Sequence, residues 1–133
     1  MKKCLLDTDI LSYYFKEIES VIEKGNEYLD TYGYFTISSI TGFEIFAGYK
    51  KVRNKKKEEL FIEFCEENEI LPLDYQEVKG ASEIYDKLNR LGTPLEIPDI
   101  FIASTAIVND LVLVTNNVAH FNRIEELKVE NWL

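Results

Sequence analysis

Short apolar runs without in-and-out alternation constrain the fold of this chain most strongly. A strand exposed on one face alternates apolar and polar residues, whereas a strand covered on both faces is apolar throughout. Stretches with helical periodicity separate the runs, so helices connect consecutive strands. The sequence therefore predicts an α/β fold in which helical layers enclose a central, mainly parallel sheet of four to five strands. The predicted strands are residues 4–6, 34–37, 70–73 and 111–114, with a short last one at 128–130.

The helical stretches carry recognisable start and stop signals. Thr8 or Asp9 is placed to cap the first helix, at 10–15, and Gly33 ends the second, which begins at residue 19. A third helix follows the Ser-Ser pair at 38–39. The helix at 99–108 is apolar on nearly every side, which indicates a buried position. A long amphipathic helix at 75–91 is predicted to turn five residues inward: Val78, Ala81, Ile84, Tyr85 and Leu88.

Length and composition limit the possible functions. The 133 residues, 46% of them hydrophobic, suit a single domain spanning 1–133. With 24 acidic against 15 basic residues, the net charge of −9 argues against a general nucleic-acid coat protein. The two cysteines, Cys4 and Cys65, form no C-x-x-C pair and indicate neither a zinc site nor a disulfide framework. Without a signal-like or membrane-spanning segment, we expect a soluble cytoplasmic protein.

Acidic and amide side chains fall where the predicted strands end. Asp7 directly follows the first strand, Glu44 lies on the helix after the second, Asp99 opens the central apolar helix, and Asn116 and Asn117 follow the 111–114 strand. In parallel sheets the carboxyl ends of the strands form one rim. Carboxylates gathered there either raise their pKa values or bind cations, and Mg²⁺ or Mn²⁺ is the natural partner.

Each of these residues also has a plain structural interpretation. Asp7 and Asp9 could be helix caps, Asp99 after Pro98 is an ordinary helix start, and an Asn-Asn pair is an ordinary turn. Glu44 is harder to explain in this way. Its apolar neighbours at 43 and 45–47 predict little solvent around it, so its carboxylate needs a partner.

Three other features leave two interpretations open. His120 is the single histidine, and we assign it no catalytic role because a lone histidine near a turn is usually structural or simply exposed. Tyr13, Tyr14, Phe15 and Phe46 are core residues by default, although an exposed part of this cluster would indicate a binding groove. A basic run either contacts the phosphate backbone of a bound nucleic acid or is a solvated helix start. Its members are Lys50, Lys51, Arg53, Lys55, Lys56 and Lys57.

Four blocks of sequence, taken in order, resemble the PIN-domain family, and within it the VapC-type toxins of type II toxin–antitoxin systems. They are Leu-Leu-Asp-Thr-Asp-Ile-Leu at 5–11, Ile-Ser-Ser-Ile-Thr-Gly-Phe-Glu-Ile at 37–45, Gly-Thr-Pro at 92–94 with Asp-Ile-Phe-Ile-Ala at 99–103, and Leu-Val-Thr-Asn-Asn at 113–117. His120, Phe121, Arg123, Ile124, Asn131 and Trp132 complete the last block. The resemblance extends over the whole chain.

The resemblance implies a PIN fold, a metal-dependent endoribonuclease, a homodimer, and a VapB-like antitoxin that occupies the active site. The family's acidic positions correspond to Asp7, Glu44 and Asp99, all retained. Asn117 stands where the family often has Asp, with Thr115 in the supporting place. Asp9 stands where the family usually has Asn, and its carboxylate adds to the acidic set.

A mechanism follows as a hypothesis from the resemblance. Asp7 and Asp99 would hold Mg²⁺ or Mn²⁺, which polarises the phosphodiester and lowers the pKa of the attacking water. Glu44 would orient that water or bind a second ion. Thr8, Thr115 and Asn117 would support the geometry through hydrogen bonds. The products would carry 5′-phosphate and 3′-hydroxyl ends.

Competing functions share some of these features. A haloacid-dehalogenase-type phosphatase also has Asp-x-Asp after its first strand, but Leu11 stands where such enzymes have Thr or Val. A response-regulator receiver could use Asp74 as phosphoacceptor, but it needs a Lys where Asn116 and Asn117 stand. A catalytically inactive PIN domain that acts as a binding module is the third alternative.

Overall fold

The computed structural model describes residues 1–133 and confirms the alternation of strands and helices. Most predicted elements are present, within a few residues of their predicted bounds. The strands are β1 (Cys4–Leu6), β2 (Thr36–Ser38), β3 (Glu69–Leu71), β4 (Val112–Val114) and β5 (Val129–Glu130). The helices are α1 (Thr8–Phe15), α2 (Glu19–Tyr32), α3 (Ser39–Lys51), α4 (Lys55–Glu67), α5 (Tyr75–Arg90), α6 (Ile97–Val108) and α7 (Val118–Phe121).

Every strand pairing is parallel, as predicted. Strand β4 pairs with β1 on one side and β5 on the other, and β2 pairs with β3. Strand β1 also lies alongside β2, so the two hydrogen-bonded ladders follow one another across the fold. The carboxyl ends of β1, β4 and β5 therefore point in the same direction, and the contact between the Thr8 and Thr41 hydroxyls brings the segment after β2 to the same rim.

Two apolar cores cover the two faces of the sheet. Cys4 and Leu6 of β1 pack into one core together with residues of α1 to α4, whereas Leu5 packs into the other, with residues of α5, α6 and α7. Strand β4 divides in the same way between Val114 and Leu113. Because successive strand residues point to opposite faces, a fully apolar strand is what a sheet between two helical layers requires.

Helix α6 is buried, as its sequence predicted. It begins at Ile97 after Glu96, so Asp99 lies within its first turn rather than at its start. Four apolar residues along it are almost completely buried: Ile100, Ile102, Ala103 and Ala106. No helix in the chain combines the length and apolar character that a membrane crossing demands.

The structure differs from the sequence analysis at three places. Of the residues considered as caps of α1, Asp7 is the one that caps it and Thr8 and Asp9 do not, because Asp7 has the extended backbone that a cap requires and accepts a hydrogen bond from the Thr8 N–H. Val78 and Tyr85 on α5 are 48% and 50% exposed rather than turned inward, because α6 covers only part of the apolar face of α5. The turn expected at Asn116 and Asn117 leads directly into the short helix α7, which the sequence analysis did not predict.

A buried tyrosine connects α2 to the first strand. The Tyr28 side chain is completely buried, and its hydroxyl accepts a hydrogen bond from the Cys4 N–H at 3.1 Å. A buried backbone N–H without a partner is costly, so this hydroxyl stabilises the start of β1. The neighbouring Tyr32 hydroxyl instead donates to the Met1 carbonyl oxygen, at 2.6 Å, in an exposed position.

We predict that Tyr28→Phe lowers the free energy of unfolding by about 1–3 kcal/mol, because it leaves the Cys4 N–H buried without an acceptor. Tyr32→Phe is the matched control: water can replace its hydroxyl, so the loss stays below about 0.5 kcal/mol. Urea unfolding of both variants measures the difference. Equal effects of the two substitutions would contradict the role assigned to the Tyr28 hydroxyl.

Candidate active site

Asp7 is fixed at the junction of β1, β4 and α1. Its N–H donates to the Val114 carbonyl oxygen at 2.9 Å, which continues the ladder between the strands. Its Oδ1 accepts from the Thr8 N–H at 2.8 Å, and its Oδ2 accepts from the Thr115 hydroxyl at 2.8 Å. The residue is only 6% exposed. Both carboxylate oxygens are thus held in place by groups from two different strand ends.

Asp9 lies two residues after Asp7 and contacts the loop that follows β4. Its Oδ2 accepts from the Asn116 N–H at 3.0 Å and lies 3.5 Å from the Thr115 hydroxyl. Its Oδ1 accepts from the Ile10 N–H at 2.7 Å. Asp9 therefore orders the loop after β4 and adds a second carboxylate beside Asp7.

Glu44 reaches the same rim from α3. Ser38 begins this helix by accepting a hydrogen bond from the Thr41 N–H at 3.0 Å. The Thr8 hydroxyl donates to Glu44 Oε1 at 2.7 Å and lies 3.0 Å from the Thr41 hydroxyl. The expectation that little solvent surrounds Glu44 was wrong, because Phe43 is 69% exposed and Glu44 itself is partly exposed. The expected partner is present, and it is Thr8.

Asp99 approaches from the first turn of α6. It is partly buried, and burial is the main cause that raises its pKa. The negative charges of Glu44, Glu96 and Asp9 raise this pKa further, while His120 lowers it. Asp99 thus senses carboxylates from α1 and α3 as well as the one that precedes its own helix, which brings the four predicted acidic side chains into one electrostatic neighbourhood.

The residues after β4 form the remaining edge of the site. The Thr115 hydroxyl, which donates to Asp7, accepts from the Asn117 N–H at 3.0 Å. The Asn117 side-chain amide lies 2.6 Å from His120 Nδ1. Asn131 donates to the Asn116 side-chain oxygen at 3.2 Å, so the chain end also contacts this loop. His120 therefore belongs to the site, although the sequence analysis gave it no role.

The electrostatics of the rim show carboxylates with little compensation. Burial raises the pKa of Asp7 to about 7, with the charges of Asp9 and Asp99 adding to the effect and the hydrogen bonds from Thr115 and Thr8 opposing it. Burial also raises the pKa of Asp9, against hydrogen bonds from the Asn116 and Ile10 N–H groups. No Lys or Arg side chain forms an ion pair with any of these acids. A site with this charge favours a bound cation.

The donor set fits a hard divalent cation bound in an open site. No three His, Cys, Asp or Glu side chains are grouped closely enough to form a closed cage. Mg²⁺ is usually held by one or two carboxylates together with water and substrate phosphate, and it does not require such a cage. Asp7, Asp99 and Glu44 are carboxylates of the kind that this coordination uses, and the charge of Glu44 acts on Asp99.

The basic run lies away from these carboxylates. Lys50 and Lys51 end α3, Arg53 lies in the connection with a φ of 54°, and Lys55 to Lys57 form the first turn of α4. At 1.5 Å per residue, Lys51 is about 10 Å along the helix from Glu44. Lys50 is paired with Glu58 at 2.6 Å. The structure thus does not bring the run together with the acidic side chains.

The aromatic cluster is mostly core, with one exposed margin. Tyr13, Tyr14 and Phe46 are partly buried against the first core, whereas Phe15 is 37% exposed. Phe15 lines a groove of about 300 Å³ between α1 and α4. We call this the α1–α4 groove, and its lining residues are Ser12, Phe15, Lys16, Tyr49, Lys57, Leu60 and Phe61.

Comparisons with known proteins agree with this geometry. A family model described as PIN domain matches residues 4–127. Ribonuclease VapC1 of Methanocaldococcus jannaschii is 34% identical over 93% of this chain and 82% of its own length. The tRNA(fMet)-specific endonuclease VapC of Salmonella typhimurium is 34% identical over 99% of both chains.

Solved structures show the same fold. The chain is similar to one in the DNA-bound VapBC structure from Salmonella typhimurium, with a TM-score of 0.88, 32% identity and full coverage of both chains. It is also similar to one in VapBC2 from Rickettsia felis bound to a promoter DNA fragment, with a TM-score of 0.85, 30% identity and coverage of 97% and 98%. Because the family model covers most of the chain and these relatives match nearly all of it, the chain belongs to the PIN-domain family, among the VapC-type ribonucleases of toxin–antitoxin systems.

Proposed function

We propose that this chain is a divalent-metal-dependent endoribonuclease that hydrolyses RNA phosphodiester bonds at the rim formed by Asp7, Glu44 and Asp99. One observation carries the proposal: side chains from four distant segments share a connected set of hydrogen bonds and charges at the carboxyl ends of β1 and β4. In that arrangement acidic groups lie together and no basic side chain neutralises them. A rim with only a structural role would not require such a group of uncompensated acids.

The residues divide the work by position. Asp7 and Asp99 would hold Mg²⁺ or Mn²⁺, which supplies Lewis-acid polarisation of the phosphodiester and a lowered pKa for the attacking water. Glu44, held by the Thr8 hydroxyl, orients that water through its free oxygen. Thr115 keeps Asp7 in its rotamer, and Asp9 and Asn117 hold the loop that carries Thr115. Hydrolysis leaves a 5′-phosphate and a 3′-hydroxyl.

We predict that Asp99→Asn lowers the rate of RNA cleavage by at least about 100-fold, the size of effect that follows loss of one group stabilising transition-state charge. Initiator tRNA is the first substrate to test, because relatives are named tRNA(fMet)-specific endonucleases. The measurement is the rate of appearance of new 5′-phosphate ends with Mg²⁺ or Mn²⁺, and with EDTA as the metal-free reference.

Asp86→Asn is the matched control for this experiment. Asp86 is an exposed aspartate that pairs with Arg90 on α5, away from the rim. We expect its cleavage rate to equal that of the wild type. Cleavage that survives both Asp99→Asn and EDTA would refute the proposed site, and RNA binding without cleavage by the wild type would favour the binding module.

The raised pKa of Asp7 predicts how the stability of the metal-free protein depends on pH. The folded-state pKa is about 7 against an ordinary value of 3.8, so the folded state binds this proton more tightly than the unfolded state. The stabilisation is complete below the ordinary pKa and is lost as pH rises through the folded-state value. Metal-free wild type should therefore melt at a lower temperature at pH 8 than at pH 5.

Asp7→Asn should flatten this dependence and melt about 3 °C or more above the wild type at pH 8 without metal, equivalent to about 1 kcal/mol in a domain of this size. Added Mn²⁺ should raise the melting temperature of the wild type at pH 8 and leave that of Asp7→Asn nearly unchanged. Thermal unfolding with and without Mn²⁺ measures both effects. A metal-free wild type whose melting temperature does not fall between pH 5 and pH 8 would contradict the prediction.

We propose that the basic run contacts the RNA backbone outside the scissile phosphodiester. Its position along α3 and at the start of α4 suits phosphates that flank the scissile one. Arg53, Lys55 and Lys56 form no ion pair within the chain and remain available. Neutralising phosphates there would supply local attraction that the net charge of −9 does not.

A VapB-like antitoxin is the proposed protein partner, and the α1–α4 groove is its proposed docking surface. The similar solved structures are VapBC complexes. The groove is apolar at Phe15 and Leu60 and is flanked by Lys16 and Lys57, which suits an apolar segment with acidic neighbours. We also propose a homodimer that covers the exposed apolar residues of α5, Tyr75, Val78 and Tyr85.

We predict that Leu60→Asp weakens antitoxin binding at least about 10-fold, because it places a charge in the apolar part of the groove. Leu60 is already 55% exposed, so folding and RNA cleavage by the free protein should persist. Val52→Asp is the control, since Val52 is 68% exposed but lies outside the groove. Titration with the VapB-like protein measures both affinities; equal affinities would move the docking surface elsewhere.

A further inference from the structure

His120 lies at the acidic rim but has no part in the proposed mechanism. It is the single histidine in the chain and lies exposed on α7, where an RNA substrate can reach it. The buried Phe121 beside it fixes α7 against the second core. Arg123 donates to the Pro94 carbonyl oxygen at 2.9 Å, which ties the end of α7 to the segment leading into α6 and Asp99.

The imidazole ring is held from one side by Asn117. In the orientation that the structure gives, the Asn117 amide donates to His120 Nδ1 at 2.6 Å. A neutral imidazole that accepts at Nδ1 carries its proton on Nε2, so its far edge is a hydrogen-bond donor. Asn117 is in turn fixed through its N–H on Thr115, which also holds Asp7. The donor is thus connected rigidly to the carboxylates across the rim.

We propose that His120 is a further catalytic residue, whose Nε2–H donates a hydrogen bond to the 3′-oxygen of the scissile phosphodiester as negative charge develops on that oxygen. This inference rests on the proposed ribonuclease function. The hydrogen bonds from Asn117 to His120 Nδ1, from Asn117 to Thr115 and from Thr115 to Asp7 connect the ring to the acidic rim.

The chemical balance of the step is simple. The attacking water forms the new P–O bond and releases a proton to solvent, and the bond from phosphorus to the 3′-oxygen breaks. The electron pair of that bond remains on the 3′-oxygen, where the Nε2–H stabilises it until solvent supplies a proton. The imidazole stays neutral throughout, and the role resembles that of neutral histidines that act as electrophiles in other enzymes.

Two substitutions distinguish the role of the Nε2–H donor from the role of the contact between His120 Nδ1 and Asn117. The amide of His120→Asn reaches about as far as Nδ1, so it keeps the contact with Asn117 but lacks the far donor. The amide of His120→Gln reaches about as far as Nε2 and retains a neutral donor. We expect His120→Asn to lower kcat about 100-fold with KM changed less than about threefold, and His120→Gln to retain kcat within about 10-fold of the wild type.

The decisive test changes the leaving group. The substrate is an RNA in which sulfur replaces the 3′-oxygen at the position that the wild type cuts, compared with the same RNA carrying oxygen, both with Mn²⁺. A thiolate leaves readily without a hydrogen bond, so His120→Asn should cleave the sulfur-linked RNA within about threefold of the wild-type rate. Asn122→Ala, an exposed neighbour whose side chain makes no hydrogen bond, should equal the wild type on both RNAs.

The remaining outcomes would overturn either the role of His120 or the proposed ribonuclease function. Equal losses of His120→Asn on the oxygen-linked and sulfur-linked RNAs would show a structural role and overturn the inference. Unchanged cleavage of the oxygen-linked RNA by His120→Asn would also overturn it. A wild-type protein that cleaves neither RNA would instead refute the proposed ribonuclease function.

Discussion

The hydrogen bond from the Thr115 hydroxyl to Asp7 is the contact on which the rest of the site depends. It joins the residue after β4 to the residue after β1, at the point where parallel pairing brings the two strand ends together. The Thr115 hydroxyl also accepts from the Asn117 N–H, so one small side chain fixes a carboxylate on one side and a loop on the other. Thr115 is completely buried, and solvent therefore does not compete for either bond.

The ionised carboxylates of this rim are electrostatically unfavourable unless a cation binds beside them. Asp7 accepts hydrogen bonds at both oxygens, yet burial and the charge of Asp9 still hold its pKa far above the ordinary range. Two hydrogen bonds thus compensate only part of the cost of removing the carboxylate from water. The fold tolerates the rim because β1 and β4 are apolar and buried on both faces, so the stability of the strands resides away from the acids that follow them.

The sequence predicted those features that repeat along the chain or follow a strand directly. The apolar runs predicted the strands, and their ends predicted where Asp7, Asn117 and Thr115 would lie. Glu44 and Asp99 were singled out by their places on the helices near the predicted rim, but the hydroxyl of Thr8 as the partner of Glu44 could not be predicted, since it depends on how α1 and α3 cross. The exposure of Val78 and Tyr85 escaped prediction for a similar reason: an amphipathic helix shows which residues share a face, but not how much of that face a neighbour covers.

The sequence analysis gave His120 no role because only its three-dimensional surroundings indicate one. A lone histidine six residues after the end of β4 has no distinctive spacing, and only the short helix α7 turns its ring toward Asn117. The arrangement of charge along the chain is likewise a local feature that the net charge does not describe. A net charge of −9 predicts repulsion from RNA, but the Debye length at physiological ionic strength is about 8 Å, so charges act locally. The basic run, about 10 Å along α3 from Glu44, is screened from the rim. The basic run can therefore attract flanking phosphates while the carboxylates of the rim retain their affinity for a cation. The separation between the run and the rim allows one small acidic domain to bind both RNA and a metal ion.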